Sequence, residues 1–513
     1  MGRFDSQRWL ERRVARLRKG FADLDPLILV IGGVSVLVYA LHGLSGKLTR
    51  DLAVYSYAGQ QFADGVPPYE GVLNRAGPLA HMIPGVGAFG ARLVGLEDLT
   101  GMRILFLLIT VACVCVVYRF ARELFGSVLP AVCAAFAFLT FGGFIEYASG
   151  GPREKTPMAL FLLCSLWAAY RGRWVGSGAW LSLATLTLQI AFPVGIAAIV
   201  VQAVASRHGE RIRALVRAAV GGLAVLAIFV IYFAVVGALD DFVQGFVALN
   251  AQHTTASLFA DKAAANWNNL EAGYRGSLWV AVVGTVGIIA LSVPALSARY
   301  RARHTNAVAI AALGAATIVA LAWTMRDYDS WPDALLVLPM AALGVGAVAA
   351  QIIDRLPTVV VRPAVLAWLL AATVMATSFA VDKQDNRLTA QRASVNAKLR
   401  LLPSATILSV NAPQALVLTG QTNPIQHQMF FTGLNEYVDR TWPGGLSGLA
   451  DWISADRPTL ITVGGGRVPD WLAPTLKRDY AKVGSAPGWV WYVDRLVGHR
   501  TVKRLRHDDR RRR

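Results

Sequence analysis

The sequence predicts an α-helical polytopic membrane protein with a small extracytoplasmic C-terminal α/β domain. Hydrophobic residues make up 55% of the 513 residues, mean hydropathy is +0.46 and only 16% of residues are charged. Apolar runs of about 20 residues, the length that a helix needs to cross a bilayer core, recur from Pro26 to Ala380. After Asp382, short β-branched and aromatic runs alternate with helical ones, which is typical of a soluble α/β domain.

The net charge of +18 is explained by membrane topology and does not require a nucleic-acid partner. The arginines of the chain lie in short loops between apolar runs and at both ends, which is the pattern of cytoplasmic loops and of basic segments beside anionic membrane lipids. We expect no nucleic-acid partner, because no basic platform with interleaved aromatic residues is present. The four cysteines fall inside predicted spans and are interpreted as small core residues; they are Cys113, Cys115, Cys133 and Cys164.

Hydropathy and the charge pattern together predict about 11 transmembrane helices. Residues 1–25 are predicted to form a basic cytoplasmic segment, and residues 26–44 an uncleaved first span that leads outward. Residues 79–95 are predicted to lie along the membrane surface, because a crossing there would place Arg119 and Arg122 outside.

A second ambiguous stretch, residues 178–205, has cytoplasmic-looking basic residues at both ends, so two short spans must fit into it. We predict that they turn at the outer face near Gln189. The predicted domains are a transmembrane domain at 26–381 with outer loop 1 at 45–101, an extracytoplasmic α/β domain at 382–498 and a basic tail at 499–513. The strand-like runs of the α/β domain are residues 406–411, 459–464 and 489–494.

Outer loop 1 contains the candidate catalytic residue, Asp51. Thr49 can cap a helix that follows it, which places Asp51 in the first turn, where the helix dipole favours a carboxylate. Such a carboxylate at a wet membrane interface can accept a proton from a hydroxyl group. Tyr55 lies one turn further on, and Tyr69 follows, so that the loop could hold a sugar. The same residues also describe an ordinary helix start and a polar loop.

These residues resemble a known family. Asp51, Tyr55, Gly65, Pro68-Tyr69 and Gly77-Pro78-Leu79 form the pattern D-x3-Y-x9-G-x3-Y followed by G-P-L. The pattern is similar to the first outer loop of the protein-mannosyltransferase-like branch of the GT-C glycosyltransferases, integral membrane enzymes that use polyprenyl-phosphate sugars. In layout the likeness extends to the paired short spans around Gln189, the turn at 326–331 and the outer α/β domain.

The resemblance implies that Asp51 is the catalytic base or orients the acceptor. The family's lipid phosphate is usually met by basic groups, and here the chain departs from the pattern: Ala76 replaces a common lysine, and Gln189 replaces another. The remaining outer cations are the predicted phosphate ligands, with membrane snorkelling as the alternative for each alone. Glu154 is the nearest equivalent of a family aspartate, or else a simple ion-pair partner. The cations are Arg75, Arg153, Lys155 and Arg326.

The resemblance also implies a function. We expect transfer of a sugar, mannose or another hexose, from a polyprenyl-phosphate donor to a glycan, lipid or protein acceptor outside the cell membrane; a pentose stays open. No metal site is predicted, since His253 lacks a second imidazole at ligand spacing, although some relatives recruit a divalent cation. The alternatives are a polytopic transporter or lipid-handling protein, and a non-catalytic GT-C relative that has lost its phosphate lysine. The spans carry few ionisable residues, which disfavours an ion-coupled transporter.

Overall fold

The computed structural model describes residues 25–206, 208–252, 257–431 and 433–510. The predicted N-terminal segment before residue 25, His253 and the last three residues lie outside these ranges. The longer helices of the N-terminal part are α1 (Pro26–Leu41), α2 (Arg50–Ala63), α3 (Leu79–Leu93), α4 (Asp98–Phe125), α5 (Val128–Thr140), α6 (Gly142–Gly150), α7 (Lys155–Tyr170), α8 (Trp174–Thr187), α9 (Ala191–Val204), α10 (Arg211–Val235), α11 (Ala263–Tyr274), α12 (Ser277–Ala295), α13 (Ala307–Arg326), α14 (Leu338–Ile353) and α15 (Thr358–Asp382).

These helices pack into a bundle whose apolar surfaces fit a membrane protein. Within the described ranges, five helical stretches are long and apolar enough to cross a membrane, and they contain α4, α10, α12, α13 and α15. Four shorter apolar helices, α1, α5, α9 and α14, accompany them. The polytopic helical class is therefore confirmed, whereas the number of spans stays a prediction. The apolar run at residues 128–144 forms two helices, because Phe141 has an extended backbone that separates α5 from α6.

The predicted pair of short helices around Gln189 is present. Helix α8 ends at Thr187, Leu188 is extended, and α9 begins at Ala191. The loop after α2 packs into this break, where the Gly77 amide donates to the Thr187 carbonyl at 3.0 Å. A Cβ at Gly77 would lie 2.0 Å from the Leu186 carbonyl oxygen, so only glycine permits this approach.

Helices α2 and α3 form a layer across one end of the bundle. The Thr49 hydroxyl accepts a hydrogen bond from the Leu52 amide at 3.3 Å and so caps α2, as the sequence predicts. Residues 79–95 contain the single helix α3, which packs against α2. Arg92 fixes the far end of this layer, because its guanidinium contacts Asp64 at 2.7 Å and Asp98 at 2.9 Å.

The C-terminal domain contains a four-stranded mixed sheet with the order β1-β2-β4-β3. Strands β1 and β2 are parallel, and the other neighbours are antiparallel. The three predicted strands are present as β1, β2 and β4. The elements are α16 (Arg387–Leu401), β1 (Ile407–Val410), α17 (Gln414–Thr419), α18 (Leu434–Thr441), α19 (Gly445–Asp456), β2 (Leu460–Gly464), α20 (Ala473–Asp479), β3 (Tyr480–Ala486), β4 (Trp489–Asp494) and α21 (His499–Arg510).

Two parts of this domain differ from the sequence prediction. Strand β3 forms the sheet edge in a stretch for which no strand was predicted, and an irregularity between Lys482 and Gly484 interrupts its alternation. Most of the predicted basic tail is the helix α21, which packs against β3 and α16. Its apolar side chains, Val502 and Leu505, are buried there, so the helix covers the domain.

Candidate active site

A polar cavity of about 510 Å³ opens between the α2–α3 loop, the start of α7, the α8–α9 break and the end of α13. The α8–α9 break closes one side, because the Gln189 side-chain amide donates to the Arg75 carbonyl at 3.0 Å. The amide of Asn250 donates to the same carbonyl at 2.9 Å, which fixes the backbone beside the cavity. The cavity is lined by Tyr55, Arg75, Ala76, Glu154, Lys155, Leu188, Gln189, Ile190, Asn250, Ala251, Trp323, Thr324, Arg326, Asp327 and Asp333.

The cavity wall carries cations and carboxylates in close proximity. Lys155 at the start of α7 contacts the Asp333 carboxylate at 2.6 Å. The other oxygen of Asp333 accepts from the amides of Asp329 at 2.9 Å and Ser330 at 3.0 Å. Burial raises the pKa of Asp333, but the charge and hydrogen bond of Lys155 outweigh it, so the pKa lies below its ordinary value. Asp333 therefore stays charged and joins α7 to the turn after α13.

Asp51 lies behind this wall, held by two guanidinium groups. Arg153 contacts one carboxylate oxygen at 3.1 Å, and Arg50 contacts the other at 3.2 Å. Burial opposes the charge of Asp51, yet the two arginines outweigh it and hold its pKa below the ordinary value. Since 42% of the Asp51 side chain stays exposed, an acceptor can reach the carboxylate. The arrangement therefore supplies an ionised, accessible carboxylate.

Arg153 connects Asp51 with the cavity. Its guanidinium donates to the Tyr147 hydroxyl at 2.7 Å and lies 4.2 Å from the centre of that ring. It also lies 3.7 Å from the carboxylate of Glu154, the ion pair that the sequence allows. Glu154 in turn interacts with the hydroxyl of Tyr55, which lines the cavity. These contacts form a continuous polar path from Asp51 to the cavity.

The cations on the opposite wall have acidic surroundings. Burial lowers the pKa of Arg75, while the charges of Asp327, Asp329 and Glu436 raise it. Burial and its acidic neighbours raise the pKa of Asp327, against the effect of Arg75. Arg326, at the end of α13, is exposed and lies 5.8 Å from the centre of the Trp323 ring. A phosphate beside Arg75 and Arg326 would gain charge-assisted hydrogen bonds from both guanidinium groups, and these would oppose its repulsion by Asp327.

The structure brings most of the predicted site residues together. Tyr55, Arg75, Glu154, Lys155 and Arg326 line one cavity. Asp51 and Arg153 adjoin it through the contacts described above.

Tyr69 occupies a different place. It is fully buried, and its hydroxyl donates to the Ala76 carbonyl at 2.8 Å. It thereby supports the backbone of Ala76, a residue of the cavity wall.

Sequence reasoning missed four polar residues of the wall: Asn250, Thr324, Asp327 and Asp333. Asp333 carried a detectable signal, because Ser330 and Asp333 have the spacing of a capping box, and the structure forms that box. Asn250 and Asp327 reach the cavity through tertiary contacts that no local pattern indicates. Within the described ranges, no group of three or more His, Cys, Asp or Glu side chains is placed to hold a metal ion.

Comparisons with known proteins agree with this architecture. Residues 80–233 match the family model described as dolichyl-phosphate-mannose-protein mannosyltransferase. The structure of ArnT from Cupriavidus metallidurans in the apo state is similar with a TM-score of 0.63 at 16% identity, covering 91% of this chain and 97% of that one. The same protein bound to undecaprenyl phosphate gives 0.61 at 15% identity, with 91% and 98% covered.

A further similar structure is the arabinofuranosyltransferase AftD from Mycobacteria, with a TM-score of 0.50 at 13% identity. It covers 91% of this chain but only 40% of AftD. No curated protein sequence matches the chain. At these identities the structural likeness establishes the fold, and the family model adds a sequence match over α3 to α10.

Proposed function

We propose that the chain is a member of the GT-C superfamily and that it transfers a sugar from a polyprenyl-phosphate carrier to an acceptor hydroxyl. The observation that carries this proposal is an ionised Asp51, held by two arginines and joined by a polar path to a cavity with cationic walls. The similarity to ArnT with undecaprenyl phosphate supports the carrier class. We propose mannose or another hexose as the sugar.

In the proposed reaction, Asp51 takes the proton of the acceptor hydroxyl as its oxygen attacks the anomeric carbon. The bond from that carbon to the phosphate oxygen breaks, and the phosphate keeps the electron pair. Arg75 and Arg326 offset the charge that develops on this leaving group. Since attack and departure occur in one displacement on opposite faces, the configuration of the anomeric carbon inverts.

The distribution of arginines between the two ends of the bundle supports an orientation in which the cavity faces outward. Asp51, Arg153 and Asp333 lie at the cavity end, whereas Arg171 and Arg173 follow the opposite end of α7. On the positive-inside rule, we propose that the arginine-rich end lies in the cytoplasm and that the cavity and the C-terminal domain lie outside.

The orientation can be tested by cysteine labelling. The Asp470 side chain is 85% exposed, and the Asp470→Cys variant should react with an impermeant reagent from outside intact cells. Arg173→Cys, at the exposed opposite end, should react only after permeabilisation. The reverse pattern would contradict the orientation.

The activity is tested by transfer assays in membranes with a panel of polyprenyl-phosphate hexoses and pentoses. We expect turnover with a hexose donor, and a loss of about 10²–10⁴-fold in Asp51→Asn, the range typical of a lost general base. Asp64→Asn is the matched control, because Asp64 ends the same helix in an exposed pair with Arg92, away from the cavity. Undiminished turnover in Asp51→Asn would remove it as the base.

Two further outcomes would overturn the proposal as a whole. Failure to turn over any donor, together with substrate flux into sealed vesicles, would identify a transporter. Donor binding without turnover in the wild type would identify a non-catalytic GT-C relative.

A further inference from the structure

The C-terminal domain holds the backbone that leads into α2. The side-chain amide of Gln391 in α16 accepts from the Leu48 amide and donates to the Leu48 carbonyl, both at 2.9 Å. The same amide nitrogen donates to the Pro487 carbonyl at 2.7 Å. Gln391 is fully buried, so losing these partners would leave a desolvated amide. The domain therefore fixes the chain three residues before Asp51.

The domain makes further contacts along α2. The amide of Asn423 donates to the Tyr57 hydroxyl at 2.9 Å, and the Gln60 side chain donates to the Val417 carbonyl at 3.2 Å. Tyr57 and Gln60 are buried by this contact, three residues apart on one face of the helix. Helix α2, which carries Asp51, is thus packed against the C-terminal domain along its length.

One contact reaches the carboxylate itself. The Arg50 guanidinium lies 4.0 Å from the centre of the Phe431 ring and donates to Asp51 at 3.2 Å. An aromatic face attracts a guanidinium and so restricts a side chain that is 37% exposed here. The other charged or titratable groups that act around Asp51 are Arg153, which contacts it, and Glu154, Tyr55 and Tyr147 beyond.

We propose that the C-terminal domain positions the catalytic carboxylate: Phe431 holds Arg50, and Arg50 holds Asp51. This inference rests on the proposed role of Asp51 as the base. Phe431 is then a positioning residue, since it does not line the cavity and contacts Arg50 instead. The domain contributes to catalysis through this contact and does more than cover the site.

The test compares Phe431→Leu, which keeps an apolar side chain without a π face, with Phe431→Trp, which keeps the face. In Phe431→Leu we expect kcat to fall about two- to fivefold, the factor that a surface cation–π contact supplies, with donor KM unchanged. Because Arg50 lowers the pKa of Asp51, its release should also move the acidic limb of the pH–rate profile upward by about 0.3–0.7. Phe431→Trp should restore both values.

The single variant Arg50→Gln and the double variant that combines Arg50→Gln with Phe431→Leu complete a double-mutant cycle. Once Arg50 is absent, Phe431→Leu should have no further effect on kcat or on the acidic limb, because both changes remove the same contact. Arg467→Ala, an 83% exposed side chain elsewhere in the domain, is the control and should match the wild type. Additive effects in the double variant would overturn the inference.

A fall in kcat with an unmoved acidic limb in Phe431→Leu would also overturn it, since that result indicates a purely structural role. Parallel measurement of Asp51→Asn distinguishes the proposed role of Asp51 from the proposed role of the C-terminal domain. If Asp51→Asn keeps its turnover, the proposed base is wrong. If Asp51→Asn is inactive while Phe431→Leu matches the wild type, only the inference about the domain fails.

Discussion

The two ends of the helical bundle both carry ion pairs, but they place them differently. At the cavity end, Lys155 and Asp333 pair with side chains only 10% and 24% exposed, beside a cavity of about 510 Å³. At the arginine-rich end, Glu123 pairs with Arg171 across α4 and α7, with side chains 28% and 30% exposed. Buried pairs carry a large desolvation cost, which exposed pairs avoid. This difference is expected if the charges at the cavity end serve the proposed transfer reaction.

The largest expected effect concerns the Lys155–Asp333 pair. Asp333→Asn removes the carboxylate charge and leaves Lys155 buried beside the cavity. Breaking one partner of a buried pair typically costs about 3–5 kcal/mol, so we expect the free energy of unfolding to fall by about 3 kcal/mol. Chemical denaturation in detergent measures it.

The double variant Lys155→Met with Asp333→Asn is the control for this measurement. It removes both charges, so it should recover part of the lost stability. Equal stability of Asp333→Asn and the wild type would show that the pair is solvated like a surface pair, and the comparison between the two ends would fail.

A second prediction concerns Arg153, which holds Asp51 and Tyr147 at once. Arg153→Met should lower kcat about 10²-fold, because the carboxylate loses the contact that aims it, and a displacement of about 1 Å can cost that factor. Arg153→Lys, which keeps the charge but not the fork of donors, should recover part of the rate. Equal kcat in Arg153→Met and the wild type would contradict this role.

The same variant has a pH signature with a defined sign. The lowered pKa of Asp51 means that the proposed base is ionised at neutral pH and that activity is lost only as pH falls through that pKa, below the ordinary value of an aspartate. Loss of Arg153 removes a cation that lowers this pKa. The acidic limb of Arg153→Met should therefore move to higher pH.

The sequence predicts the fold better than it predicts the cavity wall. Apolar run lengths and arginine positions indicate the helices and the break near Gln189, because membrane insertion acts on those local properties. The position of Asp51 in the first turn of α2 can also be predicted from the sequence, since Thr49 marks the start of that helix.

What escapes prediction is what tertiary contacts create. Asn250 and Asp327 join the wall only after α13 and the α8–α9 break have packed. Strand β3 has no strong alternation and exists because β4 pairs with it. Helix α21 reads as a basic tail until the burial of Val502 and Leu505 against the domain is known.

The smallest effect is expected at the arginine-rich end, from Glu123→Gln. Glu123 receives hydrogen bonds from Arg171 at 2.7 Å and from the Trp167 indole at 2.9 Å, and Arg171 also lies 4.1 Å from the centre of the Trp167 ring. The amide keeps a carbonyl for the indole and loses only the ion pair, so the free energy of unfolding should fall by at most ~1 kcal/mol. Turnover should not change. If Glu123→Gln instead destabilises the protein as much as Asp333→Asn does, burial does not distinguish the two ends, and charge placement at the cavity cannot be attributed to function.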